Sequence, residues 1–452
     1  MSRPVDPRPQ TAEAGLPPAE QAARTVVRRL REAGFRAYFA GGCVRDWLRG
    51  EQPTDFDVAT DANAEAVQQL FHRTVPVGIQ FGVVMVLIDG QPVEVASFRA
   101  DIEYRDGRRP VRVRPATPEE DAQRRDFTIN GMFRDPDTNA VLDFVGGQRD
   151  LAAGVIRAIG DPVARFREDR LRMLRAVRLA ARLGYAIEPA TMAAIRTHAG
   201  ELTGIAWERI GEEVVRILTE GDARRGFALL DESGLLAQIL PEVAALKGVE
   251  QSPDFHPEGD VFTHTLLLLA QLRQPSEALA LGALLHDIGK PACAERRGSR
   301  ITFHGHPEVG AERAVAVCHR LRRSRPVWER VEYLVRNHLR SVHAAQMRRS
   351  TLRRFLAEDG IDELLELVRI DALASHGDLS AYQFCIDARA RLGDEPAKPP
   401  PLLRGRDLLA LGYPRGPLYS EILHAVEERQ LEGELTSAEA ALAWVKKTYP
   451  LP

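Results

Sequence analysis

Two aspartates one residue apart, Asp55 and Asp57 in the stretch DFDVAT, are the first residues of this chain whose spacing points to chemistry. If DFDVAT is a β-strand, its side chains alternate and the two carboxylates share a face. Carboxylates held that close repel unless a cation lies between them, so the pair reads as a platform for divalent metal, with a solvated strand end as the plain alternative. Just upstream, the glycines at 41 and 42 fall between strand-like AYFA and the helix VRDWL. Missing Cβ atoms there would let backbone N–H groups approach a triphosphate, and Arg45, one turn in, could add a charge-assisted fork. Gly42, Arg45, Asp55 and Asp57 together form a coherent site for a nucleotide with magnesium, where two metals can activate a hydroxyl and neutralise a leaving pyrophosphate.

Further along, RRDFTIN sets Arg125 and Asp126 near Asn130. This mixed set of donors and acceptors suits a ribose and phosphates, or a helix cap with surface ion pairs. In RFREDRLRMLRAVR, Asp169 and Arg172 are three residues apart, and Arg175 and Arg178 continue the stripe. One helical face would then present a carboxylate followed by three guanidinium groups. A solvated helix would intersperse acids to relieve that repulsion, so the stripe reads as facing a polyanion; an ion pair followed by exposed arginines is the bland reading. Asp169 and Arg172 offer an acceptor and donors on one edge, enough to imitate a base-pairing partner. A second constellation is built on histidine: His264 in THTLLLLAQL, His286 and Asp287 in LLHDIGK, and Asp371 in VRIDALAS. Imidazole with carboxylate suits a transition metal or magnesium that activates water. His306 and His338 could complete a second metal site or line the pocket, whereas His304 and His319 read as bystanders.

The elements that must position these groups fall into distinct textures. Residues 19–34 carry apolar positions at helical spacing, NAEAVQQLF reads as a helix, and FGVVMVLIDGQPVEVASF reads as two strands around an Asp89-Gly90 turn. From about residue 160 the pattern turns helical and no strand is expected to return. The reading is α+β: a disordered lead (1–18), a head with a small mixed sheet (19–150), an all-helical neck and body (151–250), a histidine-bearing helical domain (256–392), a Pro-rich linker (393–405) and a helical tail (406–452). The net charge is -3, yet 56 of the 61 basic residues are arginine. That balance argues for a local basic surface, not a generally basic nucleic-acid binder. Four scattered cysteines give no zinc or disulfide framework, and no apolar lead or bilayer-length run is present. A cytoplasmic protein is expected, without a membrane partner.

GGCVRD, DFD, RRDFTIN and EDRLRMLRAVR, in that order and spacing, resemble the bacterial class II tRNA nucleotidyltransferases and poly(A) polymerases through about residue 250. The resemblance implies template-free addition of C, C and A to tRNA 3′ ends from CTP and ATP, with head, neck, body and tail domains. Carried over position by position, it implies that Asp55 and Asp57 hold magnesium, with Glu94 as a third carboxylate, and that Gly42 and Arg45 meet the triphosphate. It further implies that Arg125, Asp126 and Asn130 help place the nucleotide, that Asp169 and Arg172 read the base edge, and that Arg175 and Arg178 hold phosphates. Gly131 departs from the Ala usual in the family. The segment 98–115 resembles a mobile loop that full C-C-A adders keep. His264, His286, Asp287 and Asp371, with His306 and His338, resemble the HD phosphohydrolase superfamily, implying a divalent metal such as Mg2+, Mn2+ or Ni2+. The tail resembles those that follow such domains and is expected to touch tRNA. A poly(A) polymerase, an A-only adder, and a phosphohydrolase for RNA ends whose head merely binds RNA are the alternatives.

Overall fold

Apolar residues at helical spacing bury Ala22, Ala23, Val26, Val27 and Leu30 on one side of α1 (Pro18–Glu32), which packs across a mixed sheet. The computed structural model describes residues 15–78, 81–105, 109–252, 259–298, 300–392 and 400–451. Most of the expected disordered lead and residues 393–399 of the expected linker lie outside them. The chain divides into two compact units, Met1–Ile239 and Leu240–Pro452, so the break falls before the expected boundary at residue 250.

In the first unit the strands are β1 (Ala37–Ala40), β2 (Asp57–Thr60), β3 (Thr74–Gly78), β4 (Val83–Ile88), β5 (Gln91–Ser97), β6 (Arg99–Arg105), β7 (Arg109–Pro115), β8 (Met132–Arg134) and β9 (Val141–Asp143). Seven of them form one sheet in the order β3-β4-β5-β2-β1-β8-β9. The β4–β5 connection is the expected tight hairpin, with Asp89 and Gly90 both at positive φ (49° and 81°), the conformation that favours glycine at the second position. Parallel strands need a crossover, and α3 (Ala64–Leu70) with β3 and β4 supplies it between β2 and β5. The segment likened to a mobile loop is a two-stranded antiparallel hairpin, β6 with β7; its tip at 106–108 lies outside the described residues.

The helices of this unit around the site are α2 (Gly42–Leu48), α4 (Pro118–Gln123), α5 (Gly147–Ala153), α6 (Pro162–Glu168), α7 (Arg172–Leu183), α8 (Pro189–His198), α9 (Trp207–Thr219), α10 (Ala223–Glu232) and α11 (Leu235–Ile239). Strands do return after residue 160: β11 (Ala186–Ile187) pairs with β10 (Val155–Ile156), and β12 (Glu295–Arg297) with β13 (Arg300–Thr302). Each is only two or three residues long, too short for a period-two pattern to stand out in the sequence.

The second unit is helical apart from that last pair: α12 (Pro241–Ala244), α13 (Val261–Leu269), α14 (Glu277–Leu285), α15 (Lys290–Cys293), α16 (His306–Arg320), α17 (Arg325–Asn337), α18 (Arg349–Leu356), α19 (Ile361–Ala374) and α20 (Ser380–Leu392). The tail helices α21 (Gly405–Ala410), α22 (Pro417–Leu431) and α23 (Ala438–Thr448) close over their own core of Leu408, Tyr413, Ile422, Val426 and Val445. The fold is thus α+β, with a mixed N-terminal sheet followed by helices. No described helix is long and apolar enough to cross a membrane.

Candidate active sites

β2 begins at Asp57, and Asp55 stands in the irregular stretch before it, so strand alternation does not pair the two aspartates as the sequence suggested. Strand register supplies a different neighbour. Val58 lies opposite Val95 in the parallel β2–β5 pair, which sets Asp57 level with Glu94 on the adjoining strand. Crowding by protein, then the charges of Glu94 and Asp55, push the Asp57 carboxyl up to about 7 against the pull of Arg125, while its tip stays open to the cleft. Burial also raises Glu94. Asp57 with Glu94 beside it and Asp55 close by forms a donor set of three carboxylates that fits a divalent cation.

Every head and neck residue expected at the site lines one cleft of about 430 Å³: Gly42, Arg45, Asp55, Asp57, Glu94, Arg125, Asp126, Asn130, Asp169, Arg172, Arg175 and Arg178. Nine arginines line it against six carboxylates, so it is cationic even with the acids ionised. Gly41, at φ 75°, starts α2; a Cβ there would lie 3.3 Å from Arg125 Nη1 and 3.9 Å from Asp57 Oδ2, so a side chain would intrude on both. Arg45 is buried, donating Nε to Asp46 Oδ1 at 2.7 Å and Nη1 to Asn130 Oδ1 at 2.7 Å. Asn130 Nδ2 donates to Asp126 Oδ1 at 3.2 Å, and Arg175 pairs with Asp126 Oδ2 at 2.7 Å. Burial would raise Asp126, but Arg175 and Arg172 override it and hold the carboxyl below its usual range. GGCVRD, RRDFTIN and α7 are therefore joined in one polar chain, which favours the site reading of RRDFTIN over a surface cap.

The arginine stripe differs from the expectation. Its counter-acids come from other elements. Asp169 precedes α7 and pairs with Arg209 of α9 at 2.9 Å, not with Arg172. Arg172 donates to Glu168 Oε2 at 2.7 Å and to the carbonyls of Arg165 and Arg124 at 3.1 and 3.0 Å. Arg178 lines the cleft but is buried between Glu213 at 2.7 Å and Glu220 at 3.2 Å, so its charge is met inside the protein. The sequence reading passed over Asp46, Arg182, Arg209, Glu213, Arg216 and Glu220. A charged stripe along α9 spaced four, three and four residues apart was the signal available.

In the second unit, His264, His286 and Asp287 offer ligand atoms within 4.8 Å of one another, and so do Asp287, His306 and His338. Three imidazoles aim Nε2 inward because Nδ1 of His286, His306 and His338 faces the carbonyls of Ala283, Phe303 and Val335 at 2.9, 2.8 and 2.7 Å. His264 Nε2 lies 3.0 Å from Asp371 Oδ1, and Asp287 reaches His286 with Oδ2 at 3.1 Å and His306 with Oδ1 at 3.3 Å. Burial alone would raise Asp287 and Asp371; the neighbouring histidines, joined at Asp287 by Lys290, hold both below the usual carboxylate range. Burial and His286 push His338 down to about 4, so it is a neutral donor at physiological pH. All six expected residues converge, with chemistry that fits one or two divalent metals. His304 is exposed and His319 packs on Trp328, both outside the cluster.

Residues 37–157 match the poly A polymerase head domain, 184–247 the probable RNA and SrmB- binding site of polymerase A, and 260–375 the HD domain. An A-adding tRNA nucleotidyltransferase of Deinococcus radiodurans is 34% identical over 434 residues, 91% of this chain and 95% of that protein. The chain belongs to the bacterial class II tRNA nucleotidyltransferase and poly(A) polymerase family, with an HD domain. Like other members of this family, it is a nucleotidyltransferase. A CCA-adding enzyme of Limosilactobacillus fermentum is 43% identical over 49% of this chain, and poly(A) polymerase I of Haemophilus influenzae 38% identical over 49%; those matches span about half of each relative, 55% and 52%. The crystal structure of the Bacillus stearothermophilus CCA-adding enzyme in complex with CTP superposes with a TM-score of 0.67 at 28% identity, covering 96% of this chain and 98% of that one.

Proposed function

We propose that this nucleotidyltransferase adds C, C and A without a nucleic-acid template to the 3′ end of tRNA, using CTP and ATP. The observation that carries the reading is the single cationic cleft that joins the Asp55, Asp57 and Glu94 carboxylates to the Arg45–Asn130–Asp126–Arg175 chain. Asp55 and Asp57, flanked by Glu94, would hold two magnesium ions, which when bound activate the primer hydroxyl and neutralise pyrophosphate. Arg125 and Arg175 orient the triphosphate, and Gly42 leaves backbone room beside it. Asp126 and Asn130 fix Arg175 and Arg45 in place. Asp169 accepts from the exocyclic amino group that C and A share, while Arg172 trades one of its present acceptors to donate to the ring nitrogen. The division into head, neck, body, HD domain and tail goes with this reading, as does tRNA contact by the tail.

A second reading, addition of A alone, is supported by the Deinococcus enzyme, whose similarity runs through nearly the whole chain. A tRNA transcript ending at the discriminator base, given CTP, ATP or both, separates the two: C-C followed by one A supports the first reading. Extension only of a transcript already ending in C-C, by ATP, supports the second, and long A tails move the assignment to poly(A) polymerase. The clustered acids argue against a head that merely binds RNA, since a binder gains nothing from carboxylates beside phosphates. For the HD domain we propose metal-dependent phosphohydrolysis, with His264, His286, Asp287 and Asp371 holding Mg2+, Mn2+ or Ni2+ and His306 and His338 completing a second position. Hydrolysis of a cyclic phosphate substrate, in which water opens the ring to the phosphomonoester, tests it.

A further inference from the structure

α9 carries Arg209, Glu213 and Arg216 along one face, and Glu220, which caps its C-terminus, continues the line. Three of them hold α7 and the turn before it: Arg209 through Asp169, and Glu213 and Glu220 through Arg178. Arg216 differs. Glu220 takes its Nε at 2.5 Å, but its side chain remains 46% exposed and lines the cleft. Burial, Glu220, Glu213 and then Asp55 act on its guanidinium, and Arg216 lines the same cleft as Asp55, Asp57 and Glu94.

The nucleotide side of the cleft is accounted for by Arg45, Asn130, Asp126 and Arg175. An acceptor RNA must bring its 3′-hydroxyl to the carboxylates from elsewhere, and its last phosphodiester then arrives one ribose away from them. That phosphate carries a full charge of its own, which a protein cation on the acceptor side of the cleft would meet. A half-exposed guanidinium in the same cleft as Asp55, braced by Glu220, has the planar donor fork whose N–H groups donate to phosphate oxygens. We propose that Arg216 binds the terminal phosphodiester of the acceptor RNA and thereby positions its 3′-hydroxyl beside Asp55; this rests on the function proposed above. Arg216 is a positioning residue, since it touches the primer and not the reacting atoms.

A tRNA transcript ending in C-C, supplied with ATP, is a substrate under both readings of the product. With it, Arg216→Gln is expected to raise KM for tRNA about tenfold, the loss of one charged hydrogen bond. KM for ATP should stay within about twofold, as for an uncoupled site. Anisotropy binding of the same RNA should lose about 0.7 from the slope of log K against log salt, the share of one phosphate on a single strand. Arg216→Lys should restore the slope, because a point charge still neutralises the phosphate, and recover KM only in part, because the fork is lost. Unchanged tRNA KM and slope, a raised KM for ATP instead, or failure of Arg216→Lys to restore the slope overturns the proposal. Should wild type extend neither transcript, the proposed function falls, while the salt slope still judges Arg216.

Discussion

Asp57 is held in a state it disfavours. Its folded value of about 7 lies above the ordinary carboxylate range, so the folded chain binds more protons at this site than the unfolded chain between the two values. Stability of the metal-free protein therefore falls as pH rises from about 4 through 7, and the penalty is complete above that. Asp57→Asn should melt higher than wild type at pH 8 in chelator, with the gap closing as the pH approaches 4. Added Mg2+ should shrink the gap, because metal binds only the folded wild type. The same variant should lose at least about 100-fold in nucleotide addition, the loss that even outer partners of a metal produce. A variant that melts lower at pH 8 would show that Asp57 is paired internally and is not waiting for a cation. Asp55 and Asp57 were legible as letters; the place of Glu94 was not firm, because it depends on a strand register set between residues 58 and 95.

The seam between α7 and α9 shows why a stripe read from one helix can mislead. Three-residue spacing correctly placed Arg172, Arg175 and Arg178 in register, yet the acids that neutralise Arg178 lie 35 and 42 residues further on. Arg178 and Glu213 are 6% and 8% exposed, so removing Glu213 leaves the buried guanidinium with Glu220 alone at 3.2 Å. Glu213→Ala should lower stability by about 3 kcal/mol in urea titration, whereas Arg178→Met with Glu213→Leu should recover most of it. A phosphate-binding Arg178 would give the reverse pattern: stability nearly unchanged on losing Glu213, and tRNA addition lost in the double variant only through ligand binding. A second element-scale constraint was silent in the sequence. A Cβ on Gly289 would come 2.1 Å from the His306 carbonyl and 2.8 Å from Gly310 N, both backbone atoms that cannot swing aside. Gly289→Ala should push the start of α16 away from Asp287. Isothermal titration should then show weakened metal binding by about 10- to 100-fold, the cost of disturbing a ligand's support. The His-Asp motif was legible from its letters; the need for glycine two residues later appears only once α15 and α16 touch.

At the scale of the whole molecule, the chain carries a net charge of -3 while its N-terminal cleft is lined by nine arginines and six acids, so the overall figure conceals a local cationic surface. The α+β order and both ligand sets were legible because each motif is local; the boundary at Ile239 was not, since it reflects which helices share a core. The nucleotide-site residues all fall within the first unit and the histidine cluster wholly within the second, and no side chain belongs to both. Substitutions at sites that share no partners act independently to within a few tenths of a kcal/mol, or about twofold in rate. Asp287→Asn, which alters the carboxylate common to both histidine groups, should therefore abolish ring-opening hydrolysis of cyclic phosphate substrates and leave kcat for nucleotide addition within about twofold. Asp57→Asn should do the converse. If Asp287→Asn instead slows nucleotide addition well beyond twofold while both proteins melt alike, the two chemistries are coupled through the chain, and the HD cluster would be acting on the transferase and not only beside it.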